Sequence, residues 1–205
     1  MKQKHFIDSH KGATPVLILM LMGIYGAWEN PTAWLYLATH GLYGCLWVLK
    51  SATFPDRSWE ADCSFGFGLL IWAGLSLYWI APWIICANDV QVQPAFAAGC
   101  VAVFGLGIFL HFVSDMQKHM QLSLAPRLMT DGLWGRVRNP NYLGELLIYL
   151  GFSALALHWA PLAVLTLFVG AVWIPNILKK DKSLQRYPEF AAWKARSWRF
   201  IPLVW

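Results

Sequence analysis

The sequence predicts an all-α, multi-pass integral membrane helix bundle of about six transmembrane helices, and three observations carry that prediction. Hydrophobic residues make up 58% of the 205 residues and charged ones 13%, with a mean hydropathy of +0.45. A water-soluble core of this size has no use for so much apolar surface. Apolar runs recur at about 14–28, 33–49, 64–87, 95–113, 142–157 and 161–178, each near the length that crosses a hydrocarbon layer. Finally, all 16 Lys and Arg fall in alternate polar segments. These segments are the N-terminal tail (Lys2, Lys4, Lys11), the 50–63 loop (Lys50, Arg57), the central loop (Lys118, Arg127, Arg136, Arg138) and the tail from Lys179 onward. The segments around Glu29, Asp89 and His158 hold none. Under the positive-inside bias, this distribution predicts that both termini are cytoplasmic.

Topology therefore accounts for the net charge of +5. Nucleic acid is not an expected partner, whereas the bilayer and a lipophilic small molecule are. Cys45, Cys63, Cys86 and Cys100 are scattered, without metal-ligand spacing, and read as free thiols; no metal site is expected. The first run follows lysines as a signal peptide does, but it lacks a small-x-small cleavage pattern and reads as the first spanning helix. Many of the 13 Trp and 7 Tyr lie near run ends, as interfacial belts require.

Taken in order, helix one carries Gly23 and Gly26 and helix two Gly41 and Gly44, small residues that let helices approach closely. His40, beside Tyr36 and Tyr43 on helix two, is expected to be a hydrogen-bonded structural histidine, with Tyr43 and His40 as secondary candidates for chemistry. The 50–63 loop reads as an ordered surface connection. Helix three is apolar all round, kinked at its outer end by Pro82, and is expected to serve packing and lipid contact. Helix four starts after Pro94, carries Gly99, Gly105 and Gly107, and runs out into a polar face. Helices five and six form a tight hairpin across His158–Pro161. The whole is one membrane domain, with N-terminal helices over 1–104 and the candidate site in 105–205.

That site is the stretch from Ser114 to Glu145, the longest polar interval between two apolar segments. His111, Ser114, Asp115, Lys118 and His119 share one helical face, and Asn141, Glu145 and Tyr149 share another. Arg127, Arg136 and Arg138 lie between, with Pro126, Gly132 and Pro140 as breakers. Two polar faces joined by a basic loop suit an anionic cofactor at a membrane surface. A carboxylate such as Glu145 in an apolar run costs roughly 2.5–3.5 kcal/mol at a helix centre, and intramembrane acids are functional by default. Asn141, one turn earlier, offers both donors and an acceptor. Asp115 and Lys118 fit either a helix-end ion pair or contacts to ribose and phosphate. Arg136 and Arg138 fit either a phosphate grip or headgroup contact.

The run Arg138-Asn-Pro-Asn-Tyr142-x-Gly144-Glu145, the helical hairpin after it, and the Tyr187-Pro-x-Phe…Ile201-Pro tail resemble the C-terminal half of steroid 5α-reductase-like membrane reductases. Ser114-Asp115 and the Asn141-x-x-x-Glu145 pair match the same pattern, so the resemblance covers residues 105–205. The core is also similar to isoprenylcysteine carboxyl and phospholipid methyltransferases, which bind S-adenosylmethionine. Those enzymes typically carry His and Glu-Glu-x-x-Leu where this chain has Asn139 and Lys180-Asp181-x-x-Leu184. On the reductase side, His111 stands where Asn is usual, and His119 and Leu122 where basic residues are common. The resemblance implies an NADPH-dependent reductase of a C=C bond in a steroid- or isoprenoid-like substrate. Asn141 and Glu145 would then contact the nicotinamide. His111, Asp115, Lys118, Arg136, Arg138, Tyr142, Asn176, Lys180 and Asp181 would line the rest of the cofactor site, and Glu145 and Tyr149 are the catalytic candidates. The alternative it implies is an S-adenosylmethionine-dependent methyltransferase.

Overall fold

Six helical bodies follow the six apolar runs in the computed structural model, which describes residues 1–124 and 127–205. Ala125 and Pro126, the latter expected as a helix breaker, lie outside the described residues. The first body is α1, Gln3–Tyr25. The second is α2, Pro31–Tyr36, which passes through a π-helical turn at Leu37–Gly41 into α3, Leu42–Thr53. The third is α4, Phe65–Ser76, joined by a 3₁₀ turn at Leu77–Trp79 to α5, Ile80–Ala87. Then come α6, Pro94–Leu124, and α7, Pro140–Ala154. The sixth body is α8, Trp159–Phe168, with a π-helical turn at Val169–Trp173 leading into α9, Ile174–Leu184. A short α10, Phe190–Ala195, lies in the tail. No β-strand occurs among the described residues. The all-α membrane bundle is thus the observed fold class.

Among the described residues, three bodies are long and apolar enough by themselves to cross a membrane: Phe65–Ala87, Pro94–Leu124 and Trp159–Leu184. Large apolar side chains such as Leu69, Leu70, Leu106, Phe109 and Leu167 stand exposed on them, as a lipid-facing surface requires. The others fall short for physical reasons. The first half of α1 is polar, and α7 is short and turns Ile148, Tyr149 and Phe152 into the protein rather than outward. Six crossings therefore exceed what length and composition alone carry.

Glycine seams set the helix contacts. A Cβ on Gly107 would lie 2.6 Å from the Ile148 nitrogen and 2.7 Å from the Gly144 oxygen, and one on Gly151 would lie 2.9 Å from the Cys100 oxygen. One on Gly144 would strike the His111 nitrogen. The backbones of α6 and α7 thus touch directly, as small residues permit in membrane bundles. Gly99 and Gly105, on the same helix, face open space instead. A second seam joins α1 to α3. Pro15 has no N–H, which frees the carbonyl of Lys11 from the helical ladder. Gly44 brings α3 against that same carbonyl, where a Cβ would collide with it.

Helix breaks have local causes. Pro82 cannot bond the carbonyl of Tyr78, and the 3₁₀ turn at Leu77–Trp79 begins one turn earlier, where the kink was expected. The two π-turns each insert a residue and re-aim side chains inward: His40 in the first, Trp173 in the second.

The two ends of the bundle differ. At one end, Asn30 donates to Asp89 Oδ1 at 2.7 Å and to the Val90 carbonyl at 3.1 Å, with no Lys or Arg nearby in sequence. At the other end the basic segments gather. Lys2 pairs with Asp62 in an isolated β-bridge, Lys118 meets Asp56 at 3.1 Å, and Val137 bridges to Trp198. The tail therefore folds back on the central loop.

Candidate functional site

The α6–α7 seam brings the two predicted polar faces together. His111, Ser114 and Asp115 are buried on α6, while Asn141 and Glu145 are half-buried on α7. His111 Nδ1 lies 3.1 Å from the Asn141 carbonyl, and its Nε2 lies 3.8 Å from Asp115 Oδ2. Asp115 Oδ2 also receives the ammonium of Lys50, an ion pair in which both side chains are about 5% exposed or less. Buried polar atoms ordinarily have partners, yet among the described residues Asn141 Oδ1 and Asp115 Oδ1 have no hydrogen bond, and His111 Nε2 makes only its 3.8 Å approach to Asp115. These atoms are available to a polar ligand.

Outward from Asp115, a cavity of about 130 Å³ opens between the end of α6 and the 50–63 loop. Its lining includes the charged side chains of Lys50, Asp56, Arg57, Asp115 and Lys118, with Ser58 and His119. This loop is more than a surface connection, because it forms one wall of the cavity. Asp56 accepts the Ser58 N–H at 2.9 Å and pairs with Lys118. Burial alone would raise its pKa, but the Lys118 ammonium, the Ser58 N–H and Lys50 outweigh that and hold it well below the usual carboxylate range. The loop is tied down again where Lys2 and Lys4 both reach Glu60, and their hydrogen bonds lower the Glu60 carboxyl to about 2.

Inward from Asn141 lies a second polar group. Tyr43 donates to Glu145 Oε1 at 3.2 Å, and Lys11 donates to the Tyr149 hydroxyl at 2.6 Å. The Lys11 ammonium sits 4.2 Å from the centre of the Tyr43 ring and 5.0 Å from that of Tyr149. Trp47 stacks on His111 with centroids 5.9 Å apart, which links this group to the first. Tyr78 packs on Tyr149 at 4.2 Å, so helix three contributes to the site as well as to packing.

The remaining predicted residues form a separate cluster under the tail. Arg138 is buried and donates to the Ser197 carbonyl at 2.6 Å, to Ser197 Oγ at 3.1 Å and to Asp181 Oδ2 at 3.3 Å. Asp181 also accepts from Arg199 at 2.9 Å. Lys180 donates to Asn139 Oδ1 at 2.9 Å and lies 4.4 Å from the centre of the Trp134 ring. Trp134 and Trp193 complete the joint through their indole N–H groups, which donate to the Ser114 and Trp134 carbonyls. Arg138, Lys180 and Asp181 thus bind the tail. Arg136 and Asn176 are exposed, and Tyr142 lies against Asn176 and Trp173. His40 has the structural role expected of it: its Nδ1 is 2.8 Å from the Tyr36 hydroxyl and its ring stacks on Phe152.

Sequence reasoning missed Lys11, Trp47, Lys50 and Asp56. Lys11 and Lys50 were read as topology markers, yet they are 2% and 4% exposed. An ionisable residue at the very edge of an apolar run was the signal available.

Fold and site together define a helical membrane protein whose polar machinery lies between two touching helices at the basic end of the bundle. A family described as a protein of unknown function (DUF1295) matches residues 57–197, and the chain belongs to it. The chain is also 24% identical over 159 residues to a Delta(14)-sterol reductase of Arabidopsis thaliana. That match covers 68% of this chain, which spans only 42% of the length of that relative. Both findings support the steroid-reductase-like membrane superfamily. No solved structure matches.

Proposed function

We propose that the protein is a membrane-embedded reductase that uses NADPH to saturate a C=C bond in a lipid-soluble, steroid- or isoprenoid-like substrate, with both termini cytoplasmic. The observation that carries this reading is the placement of Asn141 and Glu145 between a cation-lined cavity and a buried group of phenols. The donor set fits the cofactor. Asn141 Oδ1 and Asp115 Oδ1 are buried acceptors without donors, and a nicotinamide nucleotide offers a carboxamide N–H and ribose hydroxyls. Lys50, Lys118 and Arg57 line the cavity where phosphates would lie.

A bound nicotinamide would supply hydride. Asn141 and Glu145 would hold its ring, and the seam under Gly144 keeps both residues on a rigid helix pair. Tyr43 and Tyr149 stand on the inner side, where a polarised substrate needs a proton donor. The buried aromatic walls exclude water from the reacting atoms.

The test is titration of the detergent-solubilised protein with NADPH, NADH and S-adenosylmethionine, read by calorimetry and thermal shift. NADPH should bind and stabilise, and an α,β-unsaturated lipid ketone should then accelerate loss of the reduced-nicotinamide absorbance. Binding of S-adenosylmethionine alone would transfer the case to the methyltransferase reading.

A further inference from the structure

We propose that Lys11 is the positioning residue that makes Tyr149 the proton donor of the reduction; this rests on the reductase reading. The argument begins with the location of Lys11. It comes from α1, outside the residues that the family comparison matches, and its side chain is buried 138 positions from its partner in sequence. Burying an ammonium is costly unless it is paired and hydrogen-bonded. Among the described residues its hydrogen-bond acceptor is the Tyr149 hydroxyl at 2.6 Å, with the Tyr43, Trp47 and Tyr149 rings around it at 4.2, 5.2 and 5.0 Å. Backbone features fix that position, since Pro15 frees the Lys11 carbonyl and Gly44 packs against it.

The geometry has a directional consequence. Because the Tyr149 oxygen accepts from Lys11, its own O–H must point elsewhere. Tyr43, whose ring packs against that of Tyr149 with centroids 5.8 Å apart, gives its own proton to Glu145. Neither of these two hydrogen bonds uses the Tyr149 proton, which is left for a substrate. A cation at hydrogen-bond distance is also the group best placed to stabilise the phenolate that remains after donation.

The step balances as follows. One alkene carbon gains a hydrogen and two electrons from the reduced nicotinamide, which is oxidised. The π pair shifts to the other carbon, which forms its C–H bond with the Tyr149 proton as the phenolic O–H breaks. The phenolate takes a proton from the Lys11 ammonium, and the Lys11 amine regains one from water before the next turnover. The net consumption is one reduced nicotinamide and one proton per double bond.

Three variants test this: Lys11→Met, Lys11→Arg and Tyr149→Phe. Isotope-edited infrared spectroscopy of tyrosine-labelled protein without cofactor reads the contact itself. Lys11→Met should shift one tyrosine C–O band, and Tyr149→Phe should delete that band. In kinetics, Lys11→Met should lower kcat at least tenfold with KM and NADPH affinity unchanged, and Lys11→Arg should restore part of the loss. Wild-type kcat in folded Lys11→Met, a loss confined to KM or NADPH affinity, or no infrared shift overturns the inference alone. Failure of the wild-type protein to bind a nicotinamide nucleotide overturns the reductase reading and this inference with it.

Discussion

Arg138 opens the run on which the resemblance to membrane reductases rests, and the structure gives it a testable alternative to holding phosphate. Its guanidinium spans the Ser197 carbonyl at 2.6 Å, Ser197 Oγ at 3.1 Å and Asp181 at 3.3 Å, with the Arg138 and Asp181 side chains only 5% and 7% exposed. Removing one partner of a buried ion pair costs about 3–5 kcal/mol, because the other charge is left uncompensated. Asp181 keeps Arg199 at 2.9 Å, so Arg138→Ala should fall at the lower end, about 3 kcal/mol. At 1.4 kcal/mol per decade, that shifts the docked–undocked equilibrium of the tail roughly 10²-fold. Limited proteolysis measures this shift, because cleavage follows the open population when reclosing is fast. Trypsin cleavage beyond Leu184 should accelerate by about that factor. Arg138→Lys should be intermediate, since lysine keeps the charge but loses the planar fork. Unchanged tail protection in Arg138→Ala, together with a fall in NADPH affinity, would refute the clamp and restore the phosphate role.

Three further outcomes follow from the same structure. Glu145→Gln should lower cofactor affinity or turnover at least about tenfold, or about 1.4 kcal/mol, with little loss of folded protein; normal binding and turnover in a folded variant would remove Glu145 from the site. Reporter fusions after Asn30, Val90 and Ala160 should report the outer side of the membrane, and a cytoplasmic signal at Val90 contradicts the topology. The folded-state pKa of Asp56 lies below its unfolded value. Its hold on Lys118 is therefore fully present above about pH 4 and is lost as pH falls through the lower folded value. Hydrogen exchange in residues 54–60 should stay slow down to that range and then rise, and Asp56→Asn should show the fast exchange at neutral pH.

What was legible in the sequence was periodic. His111, Ser114 and Asp115 share a face because three- and four-residue spacing on a helix allows nothing else, and the structure buries that part of the face. The helix hairpin, the close packing at Gly44 and the free thiols were likewise local readings. What could not be read was partnership across long separations. Lys50 meets Asp115 65 positions away, and Lys11 meets Tyr149 138 positions away. Nothing in either local pattern names the partner. Arg138 shows the converse limit: its motif marks an important guanidinium, but only the tail's return, through Val137 and Trp198, decides what it holds.

The glycine seam explains how so polar a site can exist inside so apolar a protein. Between helices in a bilayer there is little hydrophobic drive to association, so contact comes from close backbone packing. Gly107, Gly144 and Gly151 supply that contact without side chains. The side chains around them are released from holding the helices together. His111, Asp115, Asn141 and Glu145 are then free to turn toward one another and toward Tyr43 and Lys50. Alanine at Gly144 would force the His111 backbone away, and with it the imidazole that bridges the Asn141 carbonyl and Asp115. Gly144 thus fixes the separation of α6 and α7 on which the placement of Glu145 depends.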